Sequence, residues 1–352
     1  MSQQVVTKRS FASDNYAGVH PDVMTALARV NPGHAVAYGY DEVSEAASER
    51  FQALLGGEVE VYFVFNGTAA NVVGLDPMRR PWESVICTTI SHINTDECAA
   101  PERHLGGKLY GVATTDGKLT PDLIRQAHAE GIVADEHRSR PGVVSITEST
   151  ELGTLYTPDE VQAIADATHE LDMYLHMDGA RISNAAASLG VELRALTTDC
   201  GVDVMSFGGT KNGLMAADAV VFFRRELARD AKYIRKQHMQ LASKMRFLAA
   251  QFEALFTDDL WRINAAHANA MALRLADGIA DVAGAKVVHP VQANAVFAIF
   301  PEEAVAALER EFHFYRGFES VDDCRLMCSW DTPEDDVDHF IARVAEVVPA
   351  SL

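Results

Sequence analysis

From residue 59 to residue 223 the chain alternates short apolar runs with stretches of helical periodicity, and few folds accept that alternation. VEVYFVF (59–65) reads as a strand and GTAANVVGL (67–75) as the start of a helix. SVICTT (84–89) and GVVSIT (142–147) read as further buried strands. TPDEVQAIADATHEL carries a capping box: Thr157 as N-cap, Pro158 at the first helical position, and Glu160 reaching back. MYLHMD (173–178) is the next strand and GARISNAAASLG a short helix. VDVMSF (202–207) and VVFF (220–223) are strands again. Buried strands separated by helices form a largely parallel sheet, so the fold class is α/β.

From Arg224 to about Gly284 the pattern is mostly helical. AKVVHP and AVFAIFP then read as strands, EEAVAALERE as a helix and RLMCSWD as a strand. TPEDDVDHFIARVAEVV closes the chain as a helix with Thr332 and Pro333 at its start. With 352 residues, 48% of them hydrophobic, two cores are within reach. We divide the chain into a large domain, residues 1–250 with an N-terminal arm, and a small α+β domain, residues 251–352. The net charge of −20 argues against nucleic acid or an anionic membrane as partner. MSQQVVTKRSFASDNY lacks the apolar core of a secretion signal, and no run of about eighteen apolar residues occurs. The five cysteines include no CxxC pair, so reduced thiols in a cytoplasmic protein are expected. Cys324 and Cys328 fit strand packing better than metal ligation.

SFGGTKNG (206–213) sets Lys211 among small residues between two strands. Lysine almost never stays fully buried without a partner or a task. A desolvated lysine has a lowered pKa and can form a Schiff base. Gly208, Gly209 and Gly213 would allow close backbone approach to a ligand. An exposed turn lysine is the plainer alternative, and the apolar flanks count against it. HMDGAR places Asp178 at the end of a buried strand, where a carboxylate needs a cation. A protonated pyridine nitrogen would serve, and so would a structural pair with Arg181. FNGTAAN runs a strand into Gly67 and Thr68 and then a helix, whose first N–H groups suit a phosphate. SHINTDE sets His92 where an imidazole could stack on a flat ring. Each of these lies just past a strand, where open α/β sheets bind ligands. Together they ask for a phosphorylated pyridine aldehyde held by a lysine, which is pyridoxal 5'-phosphate (PLP). Lys211 is then its covalent partner, Asp178 the pyridine counter-ion, Gly67 and Thr68 the phosphate cradle, and His92 the ring cover. A metal-dependent hydrolase using His176, Asp178 and other histidines is a rival reading, although HMD is a poor metal motif.

The order of FASDNYAGVHP, AYGYDEVSEAASERF, FNGTAAN, SHINTDE, HMDGAR, FGGTKNG, SKMRF and RLMCSWDT resembles the low-specificity L-threonine aldolases over nearly the whole chain. These are PLP-dependent lyases of the aspartate-aminotransferase-like fold (fold type I), with a large, mostly parallel sheet domain and a smaller C-terminal α+β domain. The resemblance implies that Lys211 is the Schiff-base lysine, Asp178 the pyridine-nitrogen partner and His92 the stacking histidine. It also implies that Arg181 and Arg325 hold the substrate carboxylate with help from Ser13. Arg246 matches a basic residue that reaches the phosphate of a neighbouring subunit, since family members are homotetramers built from dimers with shared sites. His137, in ADEHRSRP, matches a family histidine across a one-residue insertion. TKNG and Glu148-Ser149-Thr150 depart from the family's SKGLG and ENT and place the chain in a divergent branch.

The activity implied is reversible cleavage of L-threonine, L-allo-threonine or a phenylserine-type β-hydroxy-α-amino acid to glycine and an aldehyde. The base is His92, His137 or a water held by either. A β-elimination, racemisation or transamination on the same fold would use the same Lys–Asp pair.

Overall fold

A computed structural model describes residues 9–317 and 323–349. Residues 1–8, which open the stretch read above as lacking a secretion signal, lie outside the described residues. The strands are β1 Arg9–Ser10, β2 Glu60–Val64, β3 Glu83–Thr88, β4 Leu109–Val112, β5 Arg140–Thr147, β6 Tyr174–Gly179, β7 Val204–Phe207 and β8 Asp218–Phe222, followed by β9 Lys286–Val287, β10 Ala295–Ile299, β11 Phe312–His313, β12 Tyr315–Arg316 and β13 Asp323–Met327. A seven-stranded sheet runs in the order β2-β8-β7-β6-β5-β3-β4. Only β8 opposes its neighbours β2 and β7. The pairs β3–β4, β3–β5, β5–β6 and β6–β7 are parallel.

This arrangement brings the carboxyl ends of β2, β3, β5, β6 and β7 to one edge. The antiparallel β8 begins at that edge with Asp218. The sequence motifs therefore converge by topology: Asn66–Thr68 follow β2, His92 follows β3, Asp178 ends β6, and Lys211 follows β7.

The elements form where the sequence calls for them. The helix Pro158–Glu170 opens with the complete capping box, in which Thr157 Oγ1 accepts the Glu160 N–H and Glu160 accepts the Thr157 N–H. Asn66 caps the helix Gly67–Leu75 by accepting the Ala69 N–H at 2.9 Å. At the last helix, Glu334–Val347, Thr332 and Pro333 stand at the start as expected. Thr332 Oγ1 accepts the Ser329 N–H at 2.8 Å in the preceding turn, and the N-cap position is Pro333, which offers no side-chain acceptor. The strand expected over 285–290 is limited to Lys286–Val287, because Pro290 cannot donate to a ladder.

Under the large sheet Phe51, Phe63, Phe207, Phe252 and Phe256 form one aromatic cluster. Phe51 meets Phe207 edge-on at 5.2 Å and Phe256 edge-on at 4.8 Å. Phe207 is the last residue of β7, so this cluster fixes the point from which the Lys211 loop departs. A second core gathers Phe11, Phe300, Phe312, Phe314 and Phe340 around the four-stranded sheet β12-β13-β10-β9. Residue 250, the boundary expected from the sequence, lies within the helix Arg246–Leu255, whose buried Ala249, Phe252 and Leu255 belong to the first core. Trp261 also packs there, while Met271, Ala272 and Leu275 of the same helix, Leu260–Ala280, pack in the second core. Phe11, from the N-terminal arm, joins the second core rather than the first.

Phe51→Ala removes the ring that all four partners share and should cost about 3–5 kcal/mol by the measured range for Phe deletions in cores. Chemical denaturation should show that loss, while the same experiment on the exposed Trp82→Ala should stay within about 0.5 kcal/mol.

Candidate active site

Two adjoining cavities occupy the carboxyl edge of the sheet. The first, about 230 Å³, is lined by Asn66, Gly67, Thr68, His92, Asp178, Ser206, Gly208, Thr210 and Lys211, among others. The second, about 420 Å³, is lined by Ser13, His92, Glu151, Arg181, Lys211, Tyr315 and Arg325, among others. Lys211 and His92 stand on the wall between them.

Lys211 sits in a 3-10 turn, Thr210–Asn212. Burial, and then the Arg181 charge, lower its pKa, opposed by Asp14, Asp178 and Asp218. The amine is therefore neutral and nucleophilic to a lower pH than a solvated lysine. Asp218 holds the loop in place: its Oδ1 accepts the Gly209 N–H at 2.8 Å and the Thr210 N–H at 3.2 Å. Gly208 lines the first cavity, and Gly208 and Gly209 are also required by packing. A Cβ at Gly208 would collide with the Ala180 carbonyl, and one at Gly209 would stand 2.6 Å from the Ala217 carbonyl oxygen. Gly213 has φ +100°, a backbone that side chains rarely adopt.

Asp178 is buried but has no ion pair with Arg181, so the structural alternative weighed above is not the one adopted. Its Oδ1 accepts the Ala180 N–H at 3.0 Å and its Oδ2 accepts Asn71 Nδ2–H at 2.9 Å. Each oxygen keeps a lone pair for a further donor. Asn71 also donates to Glu97 Oε1 at 2.7 Å, and His92 Nδ1 lies 2.8 Å from that same oxygen. The hydrogen bond with Glu97 is the largest effect on His92. It raises the pKa of the imidazole against the opposing effect of burial, with help from Asp178.

Arg181 faces a different carboxylate. Its Nε and Nη2 donate to Asp14 Oδ2 at 2.7 Å and Oδ1 at 3.0 Å, a bidentate pair with Asp14 almost fully buried. Burial pushes Asp14 up, but Arg181 outweighs it and holds the carboxyl below its usual range. Arg325, on β13, donates from Nη2 to the Ala12 carbonyl at 3.2 Å and lies 5.1 Å from the Tyr315 ring centroid. Ser13 caps the next turn, its Oγ accepting the Asn15 N–H at 3.2 Å.

Two expected residues are not brought to this site. His137 is exposed on a 3-10 turn, Asp135–His137, that precedes β5. It therefore lies at the amino edge of the sheet, roughly 23 Å of strand away from Thr147 at the carboxyl end. A base role for His137 in the cavity of its own chain is corrected by that geometry. Arg246 lines neither cavity. Its Nη2 donates to the carbonyls of Asn31 and Gly33, each at 3.4 Å. His176, the centre of the metal alternative, is fully buried beneath the site. Its two ring nitrogens face Ser145 and Ser206 hydroxyls at 2.9 and 3.2 Å, and burial pushes its pKa down to about 4. Among the described residues no group of three or more His, Cys, Asp or Glu side chains is placed to hold a metal ion.

Sequence reasoning missed Asp14, Asn71, Glu97, Glu151 and Asp218. Asn71 and Glu97 lay inside quoted motifs. Asp218 interrupts an apolar strand, and a carboxylate there is itself a signal. Asp14 also lay inside a quoted motif, FASDNYAGVHP, but its partner lies 167 residues away and was not legible.

The residues fit PLP. A Cβ built at Gly67 meets nothing within 4 Å, so the first-turn N–H groups of the helix Gly67–Leu75 face open space of the kind a phosphate needs. A lowered-pKa amine, a carboxylate with spare lone pairs and an imidazole line the same cavity.

Asp14→Asn would strand the Arg181 charge in a buried site and should cost about 3–5 kcal/mol. The Asp14 pKa is depressed below its unfolded value of about 3.9, so its contribution is complete above that pH and lost as pH falls through the folded value. Denaturation midpoints measured down the acid range should fall less steeply for the variant than for the unmodified chain.

Comparison with known proteins agrees with this geometry. The model of the beta-eliminating lyase family matches residues 10–303. A low-specificity L-threonine aldolase of Pseudomonas aeruginosa is 47% identical over 92% of this chain and 93% of its own. One from another Pseudomonas is 44% identical over 97% of this chain and 99% of its own. The solved threonine aldolase of Leishmania major superposes with a TM-score of 0.92 at 31% identity, covering 97% of this chain and all of that one. A mutant aspartate aminotransferase of Thermus thermophilus, 18% identical with a TM-score of 0.72 over 99% of both chains, shares the fold alone. The fold is thus fold type I, and the chain belongs to the beta-eliminating lyase family, within the group of the low-specificity L-threonine aldolases.

Proposed function

We propose that the chain is a PLP-dependent aldehyde-lyase that reversibly cleaves L-threonine, L-allo-threonine and related β-hydroxy-α-amino acids to glycine and an aldehyde. One observation carries this: Lys211, Asp178, His92 and the start of the helix Gly67–Leu75 line one cavity, which opens beside a second holding Arg181 and Arg325.

In this reading PLP is held covalently by Lys211, through its phosphate by Gly67 and Thr68, and through its ring nitrogen by Asp178. Bound there, it supplies an electron sink conjugated to the substrate's Cα. Asp178, buried at the end of β6 with a lone pair to spare on each oxygen, would accept from the ring nitrogen's N–H and so keep the sink effective. His92 covers the ring, its orientation set by Glu97. Arg325 and Arg181 take the substrate carboxylate, with Ser13 at their side. Asp14 already occupies two donors of Arg181, so Arg181 has its remaining N–H groups for substrate. That clamp orients the Cα–Cβ bond for cleavage. The amine of Lys211 lines both cavities, and its lowered pKa would let it take up and return a proton there.

The low pI, the absence of a helix long and apolar enough to cross a membrane among the described residues, and the five free cysteines support a cytoplasmic, small-molecule enzyme. A homo-oligomer with shared sites gives Arg246 a use that its own chain does not.

Two tests follow. The purified protein supplied with PLP should release glycine and an aldehyde from threonine, whereas elimination would release ammonia and a keto acid. Lys211→Ala should abolish both cleavage and borohydride-stable labelling, and Asp178→Asn should keep the fold while cutting turnover by at least about 100-fold, the scale of a lost electrostatic partner at a reacting centre. For Arg246, light scattering should show a dimer or larger assembly, and Arg246→Ala should weaken PLP binding. An active monomer with full cofactor occupancy contradicts the shared site.

A further inference from the structure

We propose that Glu151 is the group that accepts the proton of the substrate's β-hydroxyl, an assignment that rests on the aldolase reading above. Glu151 follows β5 and lines the second cavity with His92, Arg181 and Lys211. Its Oε1 accepts the backbone N–H of His92 at 2.8 Å and the Thr147 hydroxyl at 2.9 Å. Its Oε2 is buried and, among the described residues, has no hydrogen-bond partner. A buried carboxylate oxygen without a donor is costly. The cost disappears when the carboxyl carries a proton or when a ligand brings a hydroxyl to it, and a β-hydroxy amino acid brings one.

The neighbouring histidine is less suited to the task. His92 Nδ1 is committed to Glu97, which keeps the imidazole charged to higher pH, and a charged imidazole accepts no proton. Burial is the main cause that moves Glu151 up to about 7. The N–H of His92, its own N–H and Thr147 oppose that, and Asp178 adds to it. Arg181, Cys87 and Tyr156 also sense its charge. A carboxyl balanced near neutrality suits proton transfer in both directions of a reversible reaction.

The step balances without a co-reactant. The O–H bond breaks and its proton passes to the Glu151 carboxylate. The oxygen's electron pair forms the carbonyl of the aldehyde, and the Cα–Cβ pair stays with Cα. Completing glycine takes one proton at Cα, which the Lys211 amine delivers, and Glu151 returns the one it gained to solvent, so no proton is gained or lost overall once the Lys211 amine is reprotonated.

The test pairs two reactions. Threonine cleavage needs a β-hydroxyl acceptor. Exchange of glycine's α-hydrogen in deuterium oxide needs Lys211, the cofactor and the carboxylate clamp but no hydroxyl acceptor. Glu151→Gln keeps the size of the side chain and an oxygen for the His92 N–H. It should lower kcat for cleavage by about 100-fold or more, erase the limb near pH 7 in kcat/KM, and leave glycine exchange near that of the unmodified enzyme. Glu151→Asp should recover part of the cleavage rate. Cleavage by Glu151→Gln at close to the unmodified rate would overturn the proposal. So would a loss of glycine exchange as deep as the loss of cleavage, which would mark a structural role. If the unmodified enzyme exchanges glycine but cleaves no β-hydroxy amino acid, the aldolase reading itself falls and takes this assignment with it.

Discussion

Asp14 is where three parts of the chain meet, and the substrate side of the site depends on it. Its Oδ2 accepts from Arg181 Nε and from Asn294 Nδ2, the latter at 3.0 Å, and Asn294 in turn donates to the Cys328 carbonyl at 2.7 Å. Arg181 follows β6 of the large sheet, and Asn294 precedes β10 of the small one. A buried ion pair is favourable only when geometry and further hydrogen bonds offset its desolvation, and Asn294 supplies one of those bonds. The arm is placed for this by its apolar neighbours. Phe11 packs against Phe340 at 5.2 Å, and its carbonyl accepts the Met327 N–H at 2.7 Å. The second core thus holds the arm, the arm holds Asp14, and Asp14 holds Arg181.

The cofactor side is organised by a different sharing of charge. Asp178 and Glu97 are both buried, and both face the same side chain. Asn71 separates them by donating to both, and His92 brings a positive charge to Glu97. Asp178 is left with room for a further donor on each oxygen. With Nδ1 at Glu97 and its backbone N–H donated to Glu151, His92 joins this cluster to the carboxyl on its other side.

Much of this was legible in the sequence because it depends on local chemistry. The capping box at Thr157, the helix start at Gly67 and the lysine at 211 each follow from residues within a few positions of one another. Parallel topology then carried the motifs to one edge without any further information. What escaped notice depends on distant partners: Asp14 with Arg181, Asn71 with Asp178, Phe11 with the second core. Nor did the motif match that singled out His137 carry a direction along the strand that follows it, so its place at the amino edge of its own sheet was not legible. The glycines around Lys211 were recognised as necessary, but a further reason for Gly208, the close approach of the Ala180 backbone, was not legible.

The single antiparallel strand accounts for the lysine itself. A parallel partner for β7 would require a crossover of a dozen or so residues, usually a helix, before the chain could pair again. Because β8 runs the other way, the chain leaves β7 at Phe207 and re-enters at Asp218 on the same edge of the sheet. The connection remains short and lies across the mouth of the cavity. Asp218, the first residue of β8, turns back to accept the Gly209 and Thr210 N–H groups. Lys211 follows those two residues directly, so its amine is aimed by a carboxylate that topology, and not sequence proximity to a strand end, has brought to the edge. The largely apolar strands on either side are then no paradox: one strand delivers the loop, the other anchors it, and the lysine lies between them.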